Sequence, residues 1–250
     1  MINMGLTSVT FRKIEPLQII LLAKNAGVKS IEWGADVHVP PDDIVNARRV
    51  CHTTKEAGLE VAGYGSYFVA GKQEPEEFEM ILQTAVALEA PVIRIWAGWE
   101  SSQTADITYV KKVIECTRII CDMAAERGIL VAYEYHQGTL TDDASHAVKM
   151  IHEIGRDNMR LYWQPDFRIS HSDNCEALRV VLPYLQNVHV FYLGSDRKRL
   201  PLKQGDKEWH AYAKLLENTP NVSNVLLEFV KDDSMDQFVQ DVQSLKKLFG

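Results

Sequence analysis

The chain has 250 residues, 46% of them apolar, with 27 Lys and Arg against 34 Asp and Glu, for a formal net charge of −7. Such a length and apolar share suit a packed protein of one α/β barrel or two smaller domains, and the acidic balance excludes a face built for nucleic acid. No apolar run approaches the roughly 20 residues of a membrane span, the first residues lack a basic and then apolar leader, and four cysteines without metal spacing (Cys51, Cys116, Cys121 and Cys175) predict reduced thiols in a cytoplasmic protein.

A first strand is read at Met4–Phe11, followed by a helix that Pro16 opens and Gly27 closes. Lys29–Trp33 is the second strand. After Pro40 and Pro41 an amphipathic helix runs to about Ala57, and Leu59–Tyr64 is the third strand. Glu74 and Pro75 open a helix to Leu88, and Val92–Trp96 is the fourth strand. A long helix from near Ala105 to Arg127 carries Val110, Val113, Ile114, Thr117, Ile120 and Cys121 at the three-to-four spacing of a buried face. Gly128 closes it, and the apolar run to Tyr133 enters Glu134-Tyr-His136, where strand alternation places Glu134 and His136 on one face. Asp142 or Asp143 caps a helix through Ile154, Met159–Gln164 is the sixth strand, and Ser172 or Asp173 caps the next helix. Val188–Tyr192 is the seventh strand. A loop from Gly194 to Asp206 and a helix through Leu216 lead to the eighth, Val225–Val230, and Ser234 caps a last helix to Leu248.

Eight strands alternating with eight helices at a spacing of roughly 30 residues is the rhythm of a parallel sheet built from βαβ units. With no linker in the chain, the expectation is one (β/α)8 TIM barrel over residues 1–250. The rival, an open doubly wound sheet, lacks its glycine fingerprint: the first turn reads Thr10-Phe-Arg-Lys-Ile-Glu-Pro16.

In a barrel the strand ends converge on one mouth. There stand Glu32 and His38, Arg94 and Trp96, Glu134 and His136, Gln164 and Asp166, His189, and Glu228. Two carboxylates, an imidazole and a further oxygen from four successive strands make a cage suited to Mn, Mg or Co, and tolerant of Zn. Glu228 is the most telling, because a carboxylate inside Leu226-Leu-Glu-Phe-Val230 needs a cation or a hydrogen-bonded partner to be buried.

This pattern resembles the sugar phosphate isomerase/epimerase family, the xylose isomerase-like barrels that include ketose 3-epimerases, hydroxypyruvate isomerase and inosose dehydratase. The resemblance spans nearly the whole chain and implies a divalent metal held by Glu134, Gln164, His189 and Glu228. Ile93-Arg-Ile-Trp-Ala-Gly98 is similar to the family's fourth strand, whose Arg faces the substrate. Two positions depart from the pattern: Gln164 replaces the sixth-strand Asp, with Asp166 as the alternative ligand, and Phe191-Tyr192 replaces the Lys-Asp after the seventh-strand His.

What the resemblance implies is an isomerase or epimerase acting on a small sugar, keto-sugar or polyol, with Glu134 and Glu228 moving a proton next to a carbonyl. Arg94, His136, Trp96 and Gln164 are the substrate-binding candidates. Arg94 has the alternative of pairing with Glu134, and His136 of capping a loop. Trp96, Trp99 and Trp163 are candidates for an apolar floor, and Arg197-Lys-Arg199 is either a phosphate or carboxylate contact or a solvated loop. The rival readings are an inosose-type dehydratase and a sugar-binding barrel without catalysis. No membrane or nucleic-acid partner is expected, and a homo-oligomer is left open.

Overall fold

In the computed structural model, which describes residues 2–194, 196–217 and 219–250, the short apolar runs close into a parallel barrel. Its staves are β1 (Asn3–Thr7), β2 (Ser30–Gly34), β3 (Glu60–Val69), β4 (Val92–Trp96), β5 (Leu130–Glu134), β6 (Met159–Trp163), β7 (Leu185–Val190) and, after a small antiparallel hairpin of β8 (Tyr192–Leu193) and β9 (Arg199–Leu200), β10 (Asn224–Leu227). β1 pairs with both β2 and β10, which closes the ring and rules out the open sheet. The outer layer is α1 (Pro16–Ala26), α2 (Ile44–Glu56), α3 (Phe78–Ala87), α4 (Ile107–Ala125), α5 (Ala144–Ile154), α6 (His171–Val181), α7 (Asp206–Leu216) and α8 (Met235–Phe249). Their apolar stripes pack on the barrel's outer face as the main core.

The helix boundaries follow local chemistry. Pro16 starts α1 and left-handed Gly27 (φ 81°) ends it, while Asp43, Asp106, Asp143 and Ser234 each accept a backbone N–H as N-caps. The cap of α6 is Ser170 and not Ser172 or Asp173, because the Ser170 hydroxyl accepts from the Asp173 N–H at 3.1 Å. The first strand stops at Thr7 and not Phe11: Ser8 turns the chain, its hydroxyl accepting from the Gly34 N–H at 2.9 Å. The seventh strand begins at Leu185, three residues before the apolar run. Polar Asn187 belongs to it because its side chain faces into the barrel and bonds the Tyr162 hydroxyl at 2.6 Å. Among the described residues, no helix is long and apolar enough to cross a membrane, and all four cysteines are buried, unbridged thiols on helices.

Strand alternation stacks the inward-facing side chains in layers. At the closed end Ser30, Asn224 and Asn187 form a hydrogen-bonded ladder at 2.7 and 2.9 Å. Above it lies an apolar plug of Ala62, Val92, Ala132, Tyr162 and Leu226. Two residues beyond Val92, Ala132, Tyr162 and Leu226 stand Arg94, Glu134, Gln164 and Glu228, with Gln164 and Glu228 one residue past the ends of β6 and β10, and His189 stands two residues beyond Asn187 of the ladder. The plug seals the barrel beneath them, so the charged layer opens only at the C-terminal mouth.

Candidate active site

Arg94 occupies the centre of that layer. Its Nε and Nη2 each lie 3.1 Å from Glu32 Oε1, and its Nη1 lies 2.5 Å from Glu134 Oε2. The three side chains are 3%, 1% and 6% exposed, so these are ion pairs cut off from water, where a missing partner is costly. Trp96 adds a 2.6 Å hydrogen bond from Nε1–H to Glu134 Oε2, and Gln164 donates from Nε2 to Glu134 Oε1 at 3.3 Å. His189 stands between three carboxylates: Nε2 is 3.5 Å from Glu32, and Nδ1 is 3.4 Å from Glu228 Oε2 and 3.8 Å from Glu134 Oε1.

This arrangement splits the carboxylates. Burial alone would raise all three. For Glu134 the charge of Arg94, then His189, His136 and the Trp96 N–H overcome burial and hold it ionised, below the usual range. Glu32 is likewise held at about 2 by Arg94 and His189 against burial. Glu228 has no such clamp: burial, reinforced by the charge of Glu134, outweighs His189 and raises its carboxyl. His189 is raised as well, because Glu228 and Glu32 outweigh its burial. The surroundings thus push the two carboxylates in opposite directions, as in an acid–base pair.

The same layer has the donors of a cation site. Gln164 Oε1, His189 Nδ1 and Glu228 Oε2 are buried without a hydrogen-bond partner, and Glu134 Oε1 borders them. One imidazole nitrogen, one amide oxygen and two carboxylates fit a divalent ion of the Mn, Mg, Co or Zn kind. Among the described residues no three His, Cys, Asp or Glu side chains are grouped to hold an ion, so Glu134, His189, Glu228 and Gln164 match a divalent ion in kind, while their present spacing is not that of a bound one. Asp166, the alternative to Gln164, does not join the set. Its carboxylate is bound by Arg168 through Nε at 2.9 Å and Nη2 at 2.5 Å.

The mouth opens into a cavity of about 270 Å³ lined by Glu134, His136, Gln164 and an apolar wall, a size for a small molecule. His136 lies beyond the end of β5, so strand alternation does not place it there. It is stacked on Trp96 at 5.2 Å, and its Nδ1–H donates to the Gln137 carbonyl at 2.7 Å. Trp99 packs beside Trp96 at 4.8 Å and is half exposed, whereas Trp163 points outward into a cluster with Trp209 and Tyr212 and forms no part of the floor.

Sequence reasoning noted Glu32 at a strand end but gave it no role, although it contacts both Arg94 and His189. Tyr67 was not noticed. Its ring lies 5.5 Å from the Arg94 guanidinium and its hydroxyl accepts from Arg12 at 3.0 Å. Tyr67 (φ 58°), Arg197 (φ 62°) and Phe229 (φ 53°) carry a left-handed backbone at this mouth, a conformation costly for bulky residues and concentrated at functional sites.

Comparisons with known proteins agree with this architecture. The sequence profile of the xylose isomerase-like TIM barrel matches residues 20–248. A 3-dehydroshikimate dehydratase of Bacillus anthracis is 22% identical over 206 residues, 76% of this chain and 72% of that one. Among solved structures, the probable 3-DHS dehydratase of petrobactin synthesis from Bacillus anthracis superposes with a TM-score of 0.85 at 18% identity, covering 98% of this chain and 99% of that one. D-Psicose 3-epimerase from Clostridium cellulolyticum gives 0.77 at 15% identity, over 99% and 98% of the two chains. The 3-keto-D-glucoside 4-epimerase of E. coli gives 0.76 at 18% identity, over 99% of both.

Proposed function

Because the chain belongs to the xylose isomerase-like TIM barrel family, we propose that it is an enzyme moving a proton at a carbon next to a carbonyl of a small oxygenated substrate, with a sugar isomerase or epimerase as the leading activity. The observation that carries this reading is the split pair in the charged layer, Glu134 held low and Glu228 raised, with His189 between them and Glu134 lining the cavity.

Glu134, Gln164, His189 and Glu228 would hold a divalent cation, which when bound polarises the substrate carbonyl and stabilises the negative charge left by a lost proton. Arg94 fixes Glu134 by its Oε2 and leaves Oε1 toward the interior. Trp96 does the same from the side, and Gln164 restrains the other oxygen. Glu134 takes the proton and Glu228 returns one, from the two walls of the mouth. The His136–Trp96 stack forms a flat surface for the C–H face of a ring. Glu32 holds the cationic face of Arg94 and neighbours His189, so it positions the pair without reaching the substrate.

A second reading, dehydration on the same barrel, is favoured by the 3-dehydroshikimate dehydratase relative and by the raised Glu228. After Glu134 removes the proton next to the carbonyl, Glu228 protonates the hydroxyl on the following carbon, which leaves as water while the C–H electron pair forms the new double bond.

The test is turnover by chelator-stripped protein resupplied with Mn, Mg, Co or Zn, assayed on ketohexoses and 3-dehydroshikimate for epimers and for loss of water. Turnover should return with at least one cation, and Glu134→Gln or Glu228→Gln should lower kcat by about 10²- to 10⁴-fold. Failure to bind any divalent cation would remove the metal, turnover surviving both substitutions would remove the acid–base pair, and binding without turnover in every metal would favour a barrel that has lost catalysis.

A further inference from the structure

Arg197 lines the same cavity as Glu134 and Gln164. The basic run at residues 197–199 is exposed at Arg197 and Lys198, but its three side chains differ in their partners. Lys198 Nζ sits 2.7 Å from the Asp196 carboxylate, and Arg199 pairs with Asp233 while its guanidinium lies 4.7 Å from the Phe229 ring centre. Arg197 alone of the three has no carboxylate partner among the described residues, and it alone lines the cavity. Asp166, on the same wall, is already bound by Arg168 and does not neutralise it.

Arg197 is also held in place. Its guanidinium carbon lies 4.8 Å from the Phe167 ring centre, a cation–π contact. Its left-handed backbone sits in a turn where the Gly194 N–H donates to the Lys198 carbonyl at 2.9 Å and the Arg197 N–H to the Gly194 carbonyl at 2.8 Å. The Arg199 contacts tie this hairpin to the loop after β10. Phe191, Leu193 and Phe229 give the same cavity apolar lining.

We propose that Arg197 binds a substrate carboxylate, so that the molecule handled at this mouth is a small hydroxy-keto acid and not a neutral ketose. The proposal rests on the proton-transfer reading, since it places the substrate's carbonyl end at Glu134 and Gln164. A planar guanidinium with free N–H groups matches the two oxygens of a carboxylate. One unpaired cation suits a monoanion better than a phosphate dianion. An open-chain ketohexose carries a hydroxyl on nearly every carbon, and the phenyl groups of Phe191 and Phe229 would leave several of them unpaired. A carbon ring with a carboxylate at one end and oxygens at the other matches the apolar lining and the polar groups of the cavity.

The test is calorimetric binding of shikimate, a cyclic hydroxy acid without the ketone needed for turnover, against its uncharged methyl ester. The wild-type protein should bind the acid about tenfold or more tightly than the ester. Arg197→Asn, chosen because Asn tolerates a left-handed backbone, should abolish that preference and leave the ester affinity within about twofold. Arg197→Lys should keep part of it. Equal binding of acid and ester by the wild type, a preference that survives Arg197→Asn, or binding of D-psicose with no binding of either probe would overturn the proposal. Arg197-dependent binding by a protein that moves no proton in any substrate would leave the subsite standing and remove the proton-transfer reading. Ketose turnover without an acid preference would do the reverse.

Discussion

Replacing Arg94 with Met removes the cation that Glu32 and Glu134 share while nearly filling its volume. Both ion pairs are buried, with contacts of 2.5 to 3.1 Å, so the substitution strands two carboxylates beside Glu228. Breaking a buried pair from one side costs about 3–5 kcal/mol. For a chain of this size that is a fall in Tm of about 6–20 °C. The loss also depends on pH. In the wild type Glu32 is held at about 2, below its ordinary 4.5, so its contribution is complete above pH 4.5 and disappears as the pH falls through about 2. Without Arg94, burial pushes the stranded carboxyls above 4.5. A group raised in the folded state loses its contribution as the pH rises from its unfolded value through its folded one, so the deficit widens from about pH 5 to pH 7.5. Circular dichroism melts of both proteins at the two pH values read this directly, and adding Glu32→Gln to the variant should recover part of the loss. A Tm shift below about 2 °C at pH 7.5, or the same shift at both pH values, would refute the reasoning.

Other outcomes follow from the same geometry. Gln164→Glu adds a third carboxylate to the donor set, so Mn affinity in a calorimetric titration should rise about tenfold or more, and the metal-free Tm should fall because Glu134 exchanges a donor for a like charge; unchanged affinity would remove Gln164 from the ligand set. Gly65→Ala places a methyl 2.5 Å from Arg94 Nη2 and 3.2 Å from Glu32 Oε1, displacing a side chain locked in two ion pairs. It should cost about 1–3 kcal/mol in a thermal melt, together with most of the activity, and an unaffected variant would show the clamp to be loose. Trp96→Phe keeps an aromatic face toward His136 and deletes the N–H to Glu134, so it should lower kcat more than it raises KM; a change in KM alone would make Trp96 a binding surface only.

Much of the fold was legible because its signals are local. Val92–Trp96 is read to the residue, as a five-residue run apolar but for Arg94 and set off by Pro91. The inward parity of Arg94, Glu134 and His189 follows from strand alternation alone, and Gln164 and Glu228 continue it one residue past the ends of β6 and β10. What sequence reading missed depends on register between distant strands. Glu32 sits three residues into β2, and only the packing of β2, β3 and β4 brings it to Arg94, with Gly65 of β3 leaving room for the contact. Asn187 interrupted the apolar pattern of the seventh strand because its partners, Tyr162 and Asn224, lie on other staves. For the run at residues 197–199 the sequence leaves a phosphate or carboxylate contact and a solvated loop both open; which of its members lines the cavity, and the place of Arg197 over Phe167, are set by how the loops close. His136 was assigned to the right face for an incomplete reason, since β5 ends at Glu134 and the stack on Trp96 holds the ring.

The central claim, that Glu134 and Glu228 move a proton next to a carbonyl, is tested most directly by proton NMR in D₂O. The metal-supplied protein is mixed with D-psicose, D-fructose, D-tagatose or 3-dehydroshikimate, and the signal of the hydrogen beside the carbonyl is followed. The account predicts that at least one of these loses that signal to deuterium with the wild-type protein and keeps it with Glu134→Gln and with Glu228→Gln. Exchange at the wild-type rate in both variants, or epimerisation that proceeds without deuterium entering that carbon, would contradict it.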